Sequence, residues 1–183
     1  MNQDADILTS PQVRESLEVY TSVTGLPAFA IDIAGRRVHL AGGMPAYCTL
    51  FGEMTGEGCP CEQAHRRAGT ESEKLGEAYI YFCPGGLVHW TVPVMSHGVY
   101  MGALVSGMVQ MSINDPYVLH NLVKVYRLPE SSREQMSAHL NDIPVIDPGK
   151  VRHLAEMLEI VARSLGSDET HILDEHKRFH QEQ

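Results

Sequence analysis

The sequence predicts an α+β fold, a five-stranded antiparallel sheet interrupted by a helical insertion and flanked by N- and C-terminal helices. Three observations carry that expectation. Short β-prone runs joined by glycine turns occur from Ala28 to Leu40 and again from Ala78 to Met111. The stretch between them, Gly42 to Gly76, loses strand alternation. Amphipathic periodicity then frames both ends of the chain. A length of 183 residues, 43% of them hydrophobic and 20% charged, suits one packed domain plus an appendage.

Taken in order, Ser10 before Pro11 is a helix start, because the hydroxyl caps the first turn and the proline lacks only an N–H that would be unpaired there. Val13, Leu17 and Tyr20 recur on one face until Gly25. Ala28-Phe29-Ala30-Ile31-Asp32-Ile33 is the first strand, turned by Gly35-Arg36-Arg37 into Val38-His39-Leu40. The insertion reads as a short helix carrying Cys48 and Phe51, a glycine-rich loop carrying Cys59 and Cys61, and a charged helix from about Glu62 to Lys74. Strands resume at Ala78 to Cys83, Leu87 to Met95 and Val99 to Met111, the last two joined by Ser96-His97-Gly98. Asn114 to Tyr126 and Ser131 to Leu140 read as helices, and Asp147-Pro148 opens a longer one with Leu154, Leu158, Val161 and Leu165 on one stripe. Two strands, a helical insertion crossing one face, then three strands is the order of a PAS-like sensor domain. Residues 1–166 are taken as that domain and 167–183, polar apart from Ile172 and Leu173, as a tail or connector to an output module.

Composition removes several functions. A net charge of −9 with scattered Lys and Arg argues against direct nucleic acid contact by this segment. No apolar run nears the roughly 20 residues that span a bilayer, and Met1-Asn2-Gln3-Asp4 lacks the cationic flank of a signal peptide, so a cytoplasmic location without a membrane partner is expected. In that reducing compartment the four cysteines read as ligands or reactive thiols rather than as disulfides. No Ser-His-Asp set, phosphate loop, dinucleotide turn or His-Glu-x-x-His helix is present, and no base is marked to activate Cys83. The chain is therefore expected not to be an enzyme.

Cys48, Cys59 and Cys61 fall within the insertion, and Cys83 closes the strand Tyr79-Ile80-Tyr81-Phe82-Cys83 before the turn Pro84-Gly85-Gly86, so their sulfurs are expected to converge. Four soft ligands suit zinc or an iron–sulfur cluster, with His65 one helical turn beyond Cys61 able to replace a thiolate. Against this, Cys59-Pro60-Cys61 has one intervening residue where zinc sites commonly have two or more. In the alternative, Cys48 and Cys83 are buried small hydrophobes, Cys59 and Cys61 are loop thiols, and His65 is a surface residue. The other histidines are scattered without metal spacing, apart from His176 and His180 in the polar tail.

Strand parity gives a pocket, since residues two apart share a face. Tyr81 and Cys83 share one face, while Val88, Trp90, Val92 and Val94 form an apolar set that must point inward. A cavity between the sheet and residues Cys48 to Lys74 would then be lined by Tyr47, Phe51, Tyr81 and Trp90, with Tyr47, Tyr81 and Ser106 supplying polar atoms. Gly102 and Gly107, inside a strand, mark a kink or a close approach. The stripe from Leu154 to Leu165 either covers the sheet or serves a partner helix, and a homodimer through the first and last helices is expected.

The run Tyr81-Phe82-Cys83-Pro84-Gly85-Gly86-Leu87, then Trp90-Thr91-Val92-Pro93-Val94, then Gly98, Gly102 and Gly107 resembles the signature of the PocR sensory domain family. Tyr47-Cys48-Thr49-Leu50 is similar to the family's phenylalanine-cysteine helix and Cys61-Glu62 to its second cysteine, so the likeness covers about residues 10 to 111. Two departures stand out: Pro84 follows Cys83 where the family has histidine, and Met108 follows Gly107 where it has glutamine. The resemblance implies a PAS-like module at the head of bacterial signalling and transcription-regulation proteins that senses small hydrocarbon derivatives such as short diols and alcohols. A cysteine-ligated metal or iron–sulfur sensor of redox state or oxygen is the alternative, and a docking module without a ligand is the third.

Overall fold

The computed structural model describes residues 4–56, 60–111 and 116–165. After a short 3-10 helix, Asp4–Thr9, helix α1 (Pro11–Thr24) begins with the Ser10 side chain accepting the Val13 N–H at 3.3 Å and ends at Gly25, whose φ of 70° closes the last turn. Strands β1 (Ala28–Asp32) and β2 (Arg37–Ala41) form the expected hairpin. Helices α2 (Ala46–Thr55) and α3 (Pro60–Leu75) make up the insertion. Strands β3 (Tyr79–Phe82), β4 (Val88–Ser96) and β5 (Val99–Val109) follow, then α4 (Pro116–Val125), α5 (Ser132–Leu140) and α6 (Pro148–Leu165). Pro60 opens α3 and puts Cys61 in its first turn rather than on a loop, because a proline at the first helical position costs no hydrogen bond. Cys59 and the tail 167–183 lie outside the described residues. No described helix is long and apolar enough to cross a membrane.

The sheet has the order β2-β1-β5-β4-β3 and every pairing in it is antiparallel. Both faces are covered, which makes β4 and β5 buried along most of their length. One face carries Ala28, Ala30, Val88, Trp90, Val92, Val94 and Leu104 against Val13, Leu17 and Tyr20 of α1 and Val151, Ala155 and Leu158 of α6. The other carries Phe29, Ile31, Ala103, Val105 and Met108 against Tyr47 and Phe51 of α2 and residues of α4 and α5. The C-terminal stripe is spent on its own domain: Leu158 and Leu165 are buried, and Leu154 and Val161 pack half-buried against the same core.

Two glycines are dictated by backbone geometry. At Gly102, with φ 142°, a Cβ would stand 2.2 Å from the Ile31 carbonyl oxygen of the neighbouring strand. At Gly107, with φ 117°, it would stand 2.6 Å from the Val88 carbonyl oxygen. His89 pairs with Gly107 and Val88 with Val109, leaving Met108 as an extra residue in a β-bulge with φ 58°. The bulge turns the Met108 side chain into the core beneath α2.

Candidate functional site

Small residues let α3 come close to the sheet. Its buried face is His65, Ala68, Gly69 and Ser72, and a Cβ on Gly69 would meet the Tyr100 hydroxyl at 2.5 Å. Beyond these small residues, toward the N-terminus of α3, the helix parts from α2 and leaves a cavity of about 440 Å³. That volume is in the range of small-molecule sites. Phe29, Leu87, His89 and Met108 form its floor, Tyr47, Cys48 and Phe51 of α2 and Cys61 and His65 of α3 its walls, and Arg37, Glu53 and Glu62 also line it.

The buried polar groups are the informative part. His65 and His89 stand with ring centroids 5.2 Å apart, and His65 makes an edge contact with Phe29 at 5.1 Å. The Tyr81 hydroxyl lies 2.5 Å from His65 Nδ1, and the Tyr81 ring stacks on His89 at 5.6 Å. Burial drives the His65 pKa down to about 4, with the nearby Arg37 charge adding to the fall. Burial also holds His89 well below the ordinary imidazole value, and His65 pushes the same way. Both rings are therefore neutral at physiological pH. His89 is 3% exposed and its Nδ1 has no hydrogen-bond partner among the described residues.

Tyr47 is buried and donates its hydroxyl to the Gly85 carbonyl at 2.7 Å, which pins α2 to the turn after Cys83. Its pKa is raised, by burial first and then by the thiols of Cys83, Cys48 and Cys61. Phe51 packs edge-on against Tyr126 at 5.3 Å. Cys48, Cys61 and Cys83 all border the one cavity. Cys83 is the buried one, and desolvation pushes its thiol up to about 11. Among the described residues no three His, Cys, Asp or Glu side chains are grouped so as to hold a metal ion, and Cys59 stands outside them.

Two expected lining residues stand on the far side of the sheet. Trp90 is fully buried in the core under α1 and α6, where its Nε1 donates to the Tyr20 hydroxyl at 3.1 Å. The Ser106 hydroxyl donates to the Pro27 carbonyl at 2.8 Å, and Ser106 pairs with Trp90 and Ala28. Parity grouped Val88, Trp90, Val92 and Val94 rightly, but their inward direction is toward the terminal helices. The alternate residue, His89, meets the cavity. The signal for His89 was this same parity, and the signal for His65 was the run of small residues spaced along its helix face. Of the two departures noted in sequence, Met108 falls in the cavity floor.

A family model described as the sensory domain found in PocR matches residues 6–170 of the chain. The Regulatory protein PocR of Salmonella typhimurium (strain LT2) is 23% identical over 160 residues, which are 87% of this chain and 52% of that protein. The chain thus spans about half the length of the curated relative it matches.

Proposed function

We propose, for a chain that belongs to the family of the sensory domain found in PocR, that it is the sensory part of a bacterial signal-transduction or transcription-regulation protein and binds a small organic molecule, a short alcohol, diol or related hydrocarbon derivative, in the cavity beneath α2 and α3. The observation that carries this reading is a cavity of about 440 Å³ with apolar walls and a few buried polar atoms, the usual make-up of a small-ligand site. The domain signals by binding rather than by turnover. Its route to an output module runs through β4, whose neighbours His89 and Trp90 face the cavity and the terminal helices respectively. Occupancy shifts those helices only insofar as the ligand prefers one arrangement of them. Exposed Val19 and Val23 on α1 and Ile160 on α6 support pairing of two copies through these helices, which light scattering tests.

A thermal-shift series with short alcohols and diols tests the ligand. At a hundred times its dissociation constant a ligand stabilises by about 2.7 kcal/mol, which in a domain of this size raises Tm by about 5–11 °C. No shift with any of them overturns the reading. A metal-sensing second reading has in its favour three thiols on one cavity and a fourth, Cys59, two residues from Cys61. Metal analysis and an absorption spectrum of anaerobically purified protein separate the two.

A further inference from the structure

We propose that the cavity captures small soft electrophiles, α,β-unsaturated aldehydes and ketones, by covalent addition of the Cys48 thiol. The inference rests on the small-molecule reading above only for the cavity, and it needs no hydroxyl on the molecule. Sulfur is abundant in the lining: Met44, Cys48, Cys61, Cys83 and Met108 all border the one space. Phe29, Phe51 and Leu87 add apolar surface that holds a short uncharged carbon chain beside those sulfurs. Cysteine sulfur attacks as the thiolate, a soft nucleophile. Its match is a neutral, polarisable carbon centre, which such walls admit.

Which thiol attacks follows from where the helices start. Cys48 is the third residue of α2 and Cys61 the second of α3, so each lies in a first turn whose N–H groups have no partner within the helix and whose partial positive charge favours an anion. At α2 no side chain caps that turn and no acidic residue sits in it. At α3 Glu62 adjoins Cys61 in the first turn and opposes a second negative charge there. Cys83, just past the end of β3, has no helix start behind it, and burial pushes its thiol up to about 11. Of the charged residues on the cavity, Arg37 favours a thiolate while Glu53 and Glu62 oppose one, which leaves the turn at Cys48 as the asymmetry between the walls. The step balances without a co-reactant. The Cys48 sulfur bonds to the β-carbon, the C=C electron pair shifts through the carbonyl to give an enolate, and the α-carbon takes up the proton that the thiol gave. Nothing leaves and nothing is oxidised.

The test treats the whole chain, with a chelator present, with a limiting amount of methyl vinyl ketone, takes 2-butanone as the saturated control, and maps adducts by peptide mass spectrometry. The expected result is a dominant adduct at Cys48, formed about tenfold faster than with N-acetylcysteine, within the range that a helix start gives an anion in its first turn. The saturated ketone leaves no adduct, and in urea the preference for Cys48 disappears. Cys48→Ser abolishes the fast adduct and Cys61→Ser retains it. Gly52 follows Cys48 by one helical turn, lines the cavity and has nothing within 4 Å of where a Cβ would stand. Gly52→Leu therefore fills the space without strain, in a residue that favours the helix, and slows Cys48 to the rate of N-acetylcysteine. Labelling of the parent no faster than N-acetylcysteine, labelling that favours Cys59, Cys61 or Cys83, or a Cys48 rate untouched by Gly52→Leu overturns the inference. A thermal shift with alcohols or diols beside any of those results leaves the small-molecule reading standing. Fast labelling of Cys48 with no such shift keeps this inference and overturns the hydroxyl ligand.

Discussion

Replacing Tyr20 by Phe isolates one oxygen that ties three elements together. The Tyr20 hydroxyl accepts from Trp90 Nε1 at 3.1 Å and donates to the Leu154 carbonyl at 3.0 Å, joining α1 to β4 and α6. The phenyl ring refills the same space, so no cavity forms around a residue that is 2% exposed. What changes is satisfaction. Leu154 is inside α6, where its carbonyl keeps the helical N–H, so its loss is small. The indole N–H of Trp90, at 0% exposure, is left with nothing and costs about 1–3 kcal/mol. A net loss of about 2 kcal/mol lowers Tm by about 4–8 °C in a domain of this length. Far-UV circular dichroism gives the melt. The chain has 1 tryptophan, so its emission reports on this place alone and should shift as the indole loses its partner. A variant whose Tm lies within about 1 °C of the parent, with unchanged emission, would refute the claim that this oxygen joins the helices to the sheet.

Acid stability should follow the buried imidazoles. Their folded pKa values lie below the unfolded value near 6.5, so the unfolded chain takes up protons that the folded one refuses; stability is full above that value and falls as pH drops toward about 4. His65 alone contributes a loss of about 3 kcal/mol across the window. Urea midpoints at pH 7 and 4.5 check it against His65→Gln, and equal slopes in parent and variant would sink it. Thiol reactivity should be uneven: with its pKa raised to about 11 and its side chain buried, Cys83 should alkylate far more slowly at pH 8 than half-buried Cys48 or Cys61. Mass spectrometry after a timed iodoacetamide pulse reads this, and equal labelling of the three would contradict the burial.

What could be read from the chain was whatever local chemistry decides. Ser10-Pro11 and Gly25 bracket α1 because capping and φ are properties of those residues, and the hairpin at Gly35 follows from the same logic. The five strands were legible because turn residues separate them. Which side of β4 meets which layer was not legible, since a sheet covered on both faces gives an almost uninterrupted buried run, Val88 to Val92, and parity sorts residues into two sets without naming either. The apolar set went to the terminal helices because α1 and α6 bring continuous stripes that only an apolar face satisfies. His89 and Thr91 were thereby left to the insertion side. There Thr91 bonds the Leu104 carbonyl at 3.2 Å, while His89 Nδ1 bonds nothing among the described residues. His89 Nδ1 is one of four buried polar atoms without a partner among the described residues, with Thr21 Oγ1, His39 Nε2 and Arg133 Nε, and of these residues His89 alone borders the cavity, where a lapse in local consistency is what a functional site leaves behind.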